Sequence, residues 1–309
     1  MAKSGLQKFT DNFKKTWQLY LLLGLPVIFL AVFSYYPMYG ALLAFKKFRI
    51  SMGILGSPWA DQFGMANFIR FFRNYNFWNC LWNTFFISIY SILANFPFSI
   101  MLALSLNYVY NEKFKKLVQL VSYSPYFIST IVIVGMINVM FNSKNGVFGM
   151  VIDRLTGTNV LASAEVFPSL YVWTGVWQNV GFGAIIYIAV LASVDVQVHE
   201  AAMIDGATVL QRIRYIDLPA IMPTATILLI LNMGSILGVG YEKILAMQNA
   251  NNLSASEVIS TYTYKIGLVS QIPDYSYATA IGLFQSAVGL VLLVTVNRIA
   301  AKMSGDSLW

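Results

Sequence analysis

The 309 residues contain one cysteine and one histidine. A lone Cys80 excludes an internal disulfide and any thiolate metal site. A lone His199 excludes a His-pair metal site and histidine-based catalysis inside the membrane, and its place in a polar stretch reads as that of a solvated loop residue. No Gly-x-x-x-x-Gly-Lys-Ser/Thr phosphate loop occurs, so the chain lacks the usual means of holding and hydrolysing a nucleotide. Charge is scarce: Asp, Glu, Lys and Arg make up 11% of the residues, against about a quarter in soluble domains. The net charge of +7 is spread along the loops and forms no basic, aromatic-interleaved face, which argues against a nucleic-acid partner.

What the chain has instead is apolar length, with 58% of residues hydrophobic. A bilayer core of about 30 Å takes about 20 apolar residues per helix. Six stretches qualify: Leu19 to Phe45, Leu81 to Tyr108, Leu117 to Phe141, Pro168 to Ala192, Pro219 to Tyr241 and Tyr277 to Val296. None contains Asp, Glu, Lys or Arg. Backbone polar groups go unsatisfied in hydrocarbon unless the segment is helical, so the fold class is all-α, a polytopic membrane bundle of six helices. The first stretch far exceeds a signal-peptide core and is expected to stay as an anchor. Lys3, Lys8, Lys14 and Lys15 precede it, which places both termini in the cytoplasm. Residues 1–18 and 301–309 are then cytoplasmic tails, and 19–300 form one membrane domain.

Two connections stand out. Between Lys46 and Cys80, Phe63, Phe68, Phe71, Phe72 and Phe77 alternate with Asn67, Arg70, Arg73 and Asn74. The pattern fits an interfacial helix on the outer surface or an aromatic belt beside the second span. Residues 195–218 form a long cytoplasmic link with helical spacing on both sides of Gly206, which reads as helix, turn, helix. Pro219 then opens the fifth span, where a missing amide costs least.

From Glu200 the string EAAMIDGATVLQRIRYIDLP fits Glu-Ala-Ala, three residues, Gly, nine residues, Ile, one residue, Leu-Pro without a mismatch. It resembles the cytoplasmic loop of ABC importer permeases, and Asp205 and Ala207 beside the glycine match the form usual in sugar importers. The likeness runs through Pro37-Met38-Tyr39-Gly40, Gly56-Ser57-Pro58-Trp59, Asn67-Phe68 and Asn83-Thr84. It continues in the run from Ser122 to Ser129, in Gly240-Tyr241-Glu242-Lys243-Ile244-Leu245, in the run from Tyr277 to Phe284, and in Ser307-Leu308-Trp309. These residues are similar to the oligosaccharide, lipoprotein-linked subgroup of carbohydrate uptake permeases. Tyr126 and Tyr241 stand where His and Phe are expected, and His199 where Tyr is common.

The resemblance implies a type I ABC importer transmembrane domain, MetI-like and similar to maltose permeases. It further implies a heterodimer with a second homologous permease, two ATPase subunits that bind ATP and Mg, an extracytoplasmic sugar-binding lipoprotein, a surrounding bacterial plasma membrane and no cofactor in this chain. Glu200, Ala201, Ala202, Met203, Asp205, Gly206 and Ala207 would dock the ATPase. Small Ala201 and Ala202 permit close approach, Gly206 a tight reversal, and Glu200 is placed near a helix amino terminus, where a carboxylate is favoured.

Charge-free spans argue against ion coupling and for an uncharged cargo. Neutral amides and aromatics are the candidates for the path: Trp173, Trp177, Gln178, Asn179 and Phe182 on the fourth stretch, Asn232 and Ser235 on the fifth, Gln285 on the sixth. Amides both donate to and accept from sugar hydroxyls. Equally, amides bind helices to one another, and Trp173 fits an outer aromatic belt. The rival readings are an ion-coupled transporter or channel, a membrane enzyme, and an ABC importer of amino acids or peptides.

Overall fold

With no water to bond in hydrocarbon, each long apolar stretch closes its own hydrogen bonds as a helix. The computed structural model describes residues 5–238 and 240–303, with side chains for 16–238 and 240–302. Lys3 and the Ser307-Leu308-Trp309 string lie outside the described residues. Five helices are long and apolar enough to cross a bilayer: Thr16–Phe45, Asn76–Asn107, Phe167–Ala192, Val209–Gly234 and Tyr275–Lys302. These are the first, second, fourth, fifth and sixth spans. No strand forms among the described residues, and one isolated bridge joins Lys46 to Trp59.

The third stretch is not the straight span expected from its composition. It is Glu112–Phe127 followed by Thr130–Met140, bent by 101°. Pro125 lies in the tight turn Ser124–Phe127 that ends the first segment, and Ser129, in the break itself, restarts the helix by accepting from the Val132 amide at 3.4 Å. The fifth span also departs from expectation, since it begins at Val209 and runs through Pro219 without a break. A widened π turn at Ile213–Asp217 immediately precedes the proline, and the Leu218 amide reaches back to Ile213. The first span uses the same device: Ala31–Tyr35 is a π turn just before Pro37. One inserted residue shifts the carbonyl row off the proline ring, so the helix continues instead of stopping.

The second and fourth spans make the most extensive contact in the chain. Ala103, Leu104, Ala184, Tyr187, Ile221 and Ala225 form the core at one end of the bundle. Ile87, Ile133, Ile137, Val172, Ile244 and Val258 belong to the core towards the other. The first span buries none of its apolar window within the chain, with Leu19 65%, Leu25 68% and Phe33 66% exposed. A patch of that size needs lipid or another subunit against it.

Between the fifth and sixth spans the chain is irregular, and side chains satisfy its backbone. Asn83 donates to the carbonyls of Ser254 at 2.8 Å and Glu257 at 3.1 Å. Thr84 accepts from the Ile259 amide at 3.0 Å, and Ser88 donates to the Ile236 carbonyl. Gln285 donates to Leu237 at 3.0 Å.

The aromatic connection after the first span is anchored on the bundle. Its helix Ala66–Arg73 is docked by Phe71, 1% exposed, which meets the rings of Phe77, Tyr277 and Phe284. Arg70 pairs with Asp274 at 2.6 Å, and Asn67 donates to the Ala44 carbonyl at 2.8 Å. Phe63 alone of the five phenylalanines is fully exposed. Lys243, between the fifth and sixth spans, is 7% exposed in the Tyr241–Met247 helix. Its Nζ donates to the Tyr171 carbonyl at 3.3 Å. Burial pulls its pKa down from 10.5 to about 8.

Two outcomes are expected in thermal melts of the purified protein. A Cβ at Gly181 would meet the Ser122 carbonyl oxygen at 2.0 Å, whereas one at Gly135 meets nothing within 4 Å. Gly181→Ala should therefore cost about 1–3 kcal/mol or more, and Gly135→Ala should not destabilise. Lys243 has a lowered folded pKa, so its burial opposes folding fully below about 8 and the penalty is relieved as pH rises toward 10.5. Lys243→Met should stabilise by on the order of 1 kcal/mol at neutral pH, with the gain fading by pH 10; a larger gain at pH 10 would refute the assignment.

Candidate functional site

The link after the fourth span is built by local signals. Asp195 accepts from the Gln197 amide at 2.9 Å and starts the helix Val196–Ile204. That start puts Glu200 in the middle of the helix, exposed, and not at its amino terminus, so the dipole argument for its placement does not hold. Gly206 ends the turn with φ +79°, a left-handed position that favours glycine. The Ala207 amide returns to the Ala202 carbonyl at 2.8 Å. Thr208 and Gln211 then cap the next helix reciprocally, at 2.7 Å and 3.4 Å. Helix, turn, helix is what forms, with the second helix continuous into the fifth span.

Within Val196–Ile204 every residue is exposed except His199 and Ala202. Ile204 is 87% exposed, Val196 65%, Met203 48%. An apolar surface of this kind beside an exposed Glu200 and Asp205 is suited to receive a partner. His199 is not the solvated residue expected. Its side chain is 17% exposed and its Nε2 lies 3.3 Å from Oδ1 of Asp217, which is fully buried. Asp217 Oδ2 accepts from the Tyr108 hydroxyl at 2.6 Å. Arg212, also buried, lies over the Tyr108 ring at 5.3 Å. A buried carboxylate costs several kcal/mol unless partnered, and here the two partners, Tyr108 and His199, come from separate elements.

The candidate path residues fall into separate places. Asn179 and Asn232 share a cavity of about 350 Å³ with Ser91, Asn95 and Ser99, and no charged side chain lines it. Asn179 donates to the Gly175 carbonyl at 2.8 Å, which leaves its oxygen free to accept. Ser91 Oγ and Asn95 Oδ1 are buried without a partner. Gly183 lets the Ser99 hydroxyl approach, since a Cβ there would meet it at 2.7 Å. Trp173 and Trp177 line a different, apolar cavity of about 790 Å³ with Met136, Met140 and Phe148. Trp173 Nε1 donates to the Tyr90 hydroxyl at 2.9 Å. Phe182 stacks flat on Tyr126 at 3.8 Å. Ser235 bonds back to the Asn232 carbonyl at 3.1 Å, and Gln285 spends its amide on Leu237 and Ser260. Gln178 is half-buried on the fourth span.

Sequence reading passed over Ser91, Ser99, Tyr108 and Asp217 as site residues. The spacing of Thr84, Ser88, Ser91, Asn95 and Ser99 carries a signal, a polar stripe at helical period on an otherwise apolar span. Asp217, an acid directly before Leu218-Pro219 at the mouth of a span, carried another.

Comparison with known proteins accords with this geometry. Residues 95–305 match the family described as binding-protein-dependent transport system inner membrane component. Protein LplB of Bacillus subtilis (strain 168) is 37% identical over 310 residues, covering 100% of this chain and 96% of that protein. The polygalacturonan/rhamnogalacturonan transport system permease protein YteP of the same organism is 37% identical over 293 residues, covering 94% and 90%. Among solved structures, a chain of a bacterial ABC transporter involved in the import of the acidic polysaccharide alginate superposes with TM-score 0.86 at 32% identity, over 96% of this chain and 99% of that one. The same fit is found to that transporter in complex with an alginate pentasaccharide-bound periplasmic protein. The chain is a multi-pass membrane protein of the binding-protein-dependent transport system inner membrane component family, a non-catalytic permease subunit of an ABC importer.

Proposed function

We propose that this permease imports oligosaccharides across a bacterial plasma membrane, with both termini in the cytoplasm, and that the link 195–218 docks a separate ATPase. The observation that carries the reading is the Val196–Ile204 helix, held at its root and otherwise bare, with Met203 and Ile204 exposed beside Glu200. Exposed Ala201 leaves room for a partner at the helix surface, while half-buried Ala202 serves the docking surface from behind by accepting the Ala207 amide as the chain returns after Gly206. A second homologous permease completes the path and covers the first span's apolar face. Two ATPase subunits hold ATP and Mg, and an extracytoplasmic sugar-binding lipoprotein delivers the cargo. ATP binding draws the ATPases together and rocks the docked helices, which opens the bundle outward; hydrolysis lets the sugar leave inward.

Within this reading Asn179 and Asn232 form the polar wall of the path, supported by unpartnered Ser91 and Asn95 in the same cavity. Trp173, Trp177 and Phe182 offer aromatic faces to the apolar side of a pyranose ring. Gln178, Ser235 and Gln285 complete the set, although Gln285 has only its oxygen left to offer. Amides serve hydroxyls and carboxylates alike. The alginate transporter extends the class of cargo to acidic glycans, beyond the uncharged sugar that the charge-free spans suggest. Ion-gradient coupling and amino-acid or peptide cargo find no support in the relatives named above.

Co-purification from cells carrying the whole transporter tests the docking role. Glu200→Ala together with Gly206→Val should weaken ATPase attachment at least about tenfold, the scale of a truncated interface anchor, and abolish uptake. Unchanged attachment and uptake would refute it. Asn179→Ala with Asn232→Ala should lower the transport rate of a labelled oligosaccharide while ATPase attachment is preserved.

A further inference from the structure

We propose that His199 is a positioning residue which, through Asp217 and Tyr108, locks the Val196–Ile204 helix to the roots of the second and fifth spans, so that motion of the helix is delivered to both. The inference rests on the docking role of the 195–218 link. His199 and Ala202 are the two residues of the helix that are not exposed. Three residues apart, they share one face. Ala202 has only a methyl group, so His199 provides the polar hold.

What it holds is a carboxylate with few alternatives. Asp217 is 0% exposed and sits in the π turn at the base of the fifth span. Tyr108, at the end of the second span, takes one oxygen at 2.6 Å. The other oxygen has no hydrogen bond, and the imidazole at 3.3 Å is its neighbour. Arg212 lies against the Tyr108 ring, and no ion pair joins it to Asp217 among the described residues. A buried carboxylate in this state depends on the group facing it. A cavity of about 380 Å³, lined by His199, Tyr108, Tyr110, Met203 and Arg212, opens beside the cluster. The groups facing His199 are thus Tyr108 and Tyr110 after the second span, Arg212 from the Val209–Arg212 helix and Asp217 from the π turn.

With the imidazole Nε2 facing it, the carboxylate is held from two elements and the helix moves with the spans as one body. Without that side chain the carboxylate has Tyr108 alone, and motion of the helix is delivered less completely. Tyrosine, common at this position in the resembling permeases, offers a hydroxyl donor in its place.

The test uses the complete transporter in vesicles: both permeases, the ATPases and the binding protein. The quantity read is sugar taken up per ATP hydrolysed. His199→Ala should keep the ATPase attached yet lower this ratio at least about threefold, His199→Tyr should restore it, and adding His199→Ala to Asp217→Asn should cost nothing further, as expected for two residues acting as one pair. If His199→Ala retains the wild-type ratio, or loses uptake only because the ATPase detaches, the lock is refuted. Should Asp217→Asn fail to accumulate, the two His199 variants decide alone. A wild-type complex that carries no ATPase, or that takes up sugar without ATP, would instead overturn the docking role itself and this inference with it.

Discussion

Everything in this molecule depends on giving each backbone amide and carbonyl a partner where water is absent. The regular spans do so internally, and the irregular segment after the fifth span does so through the second. Asn83, Thr84 and Ser88 face that segment and bond its backbone. The same stripe continues along the helix to Ser91, Asn95 and Ser99, where it meets a cavity. One polar face thus serves two purposes: at one end it closes the fold, and at the other it presents polar atoms that the fold leaves unpartnered.

Continuity across breaks is the second constraint. Prolines at 37 and 219 would ordinarily end helices, yet both follow π turns that carry the helix past them. At the fifth span the consequence is mechanical. The Val209–Gly234 helix runs from the link into the membrane as a single rod, so displacement of the Val196–Ile204 helix has a stiff element to act upon. Thr130–Met140, by contrast, is turned by 101° from the helix before it, and the third crossing is correspondingly a place where the bundle is not a rod.

The bundle was legible because apolar length speaks directly of helices in a bilayer, and the loop was legible because Gly206 is required at φ +79° between two short helices. The bend in the third span and the continuity of the fifth were not, because composition averages over a stretch and is blind to a π turn or a single break. His199 was misplaced because it was judged by its neighbours in sequence, whereas Asp217, which sets its surroundings, lies 18 positions away in the chain. The path residues were found as a type but not as a set: Asn179 and Asn232 share a cavity, while Trp173 and Trp177 look into another.

The central claim is that energy enters through the Val196–Ile204 helix. Cys80 is the chain's single thiol and is buried, so a cysteine placed by Met203→Cys is the one thiol open to reagent. In the assembled transporter, a short thiol-to-amine cross-linker on that cysteine should join this chain to the ATPase, and prior cross-linking should stop ATP-driven uptake. A freely labelled cysteine that forms no link to the ATPase in a complex still importing sugar would contradict the account.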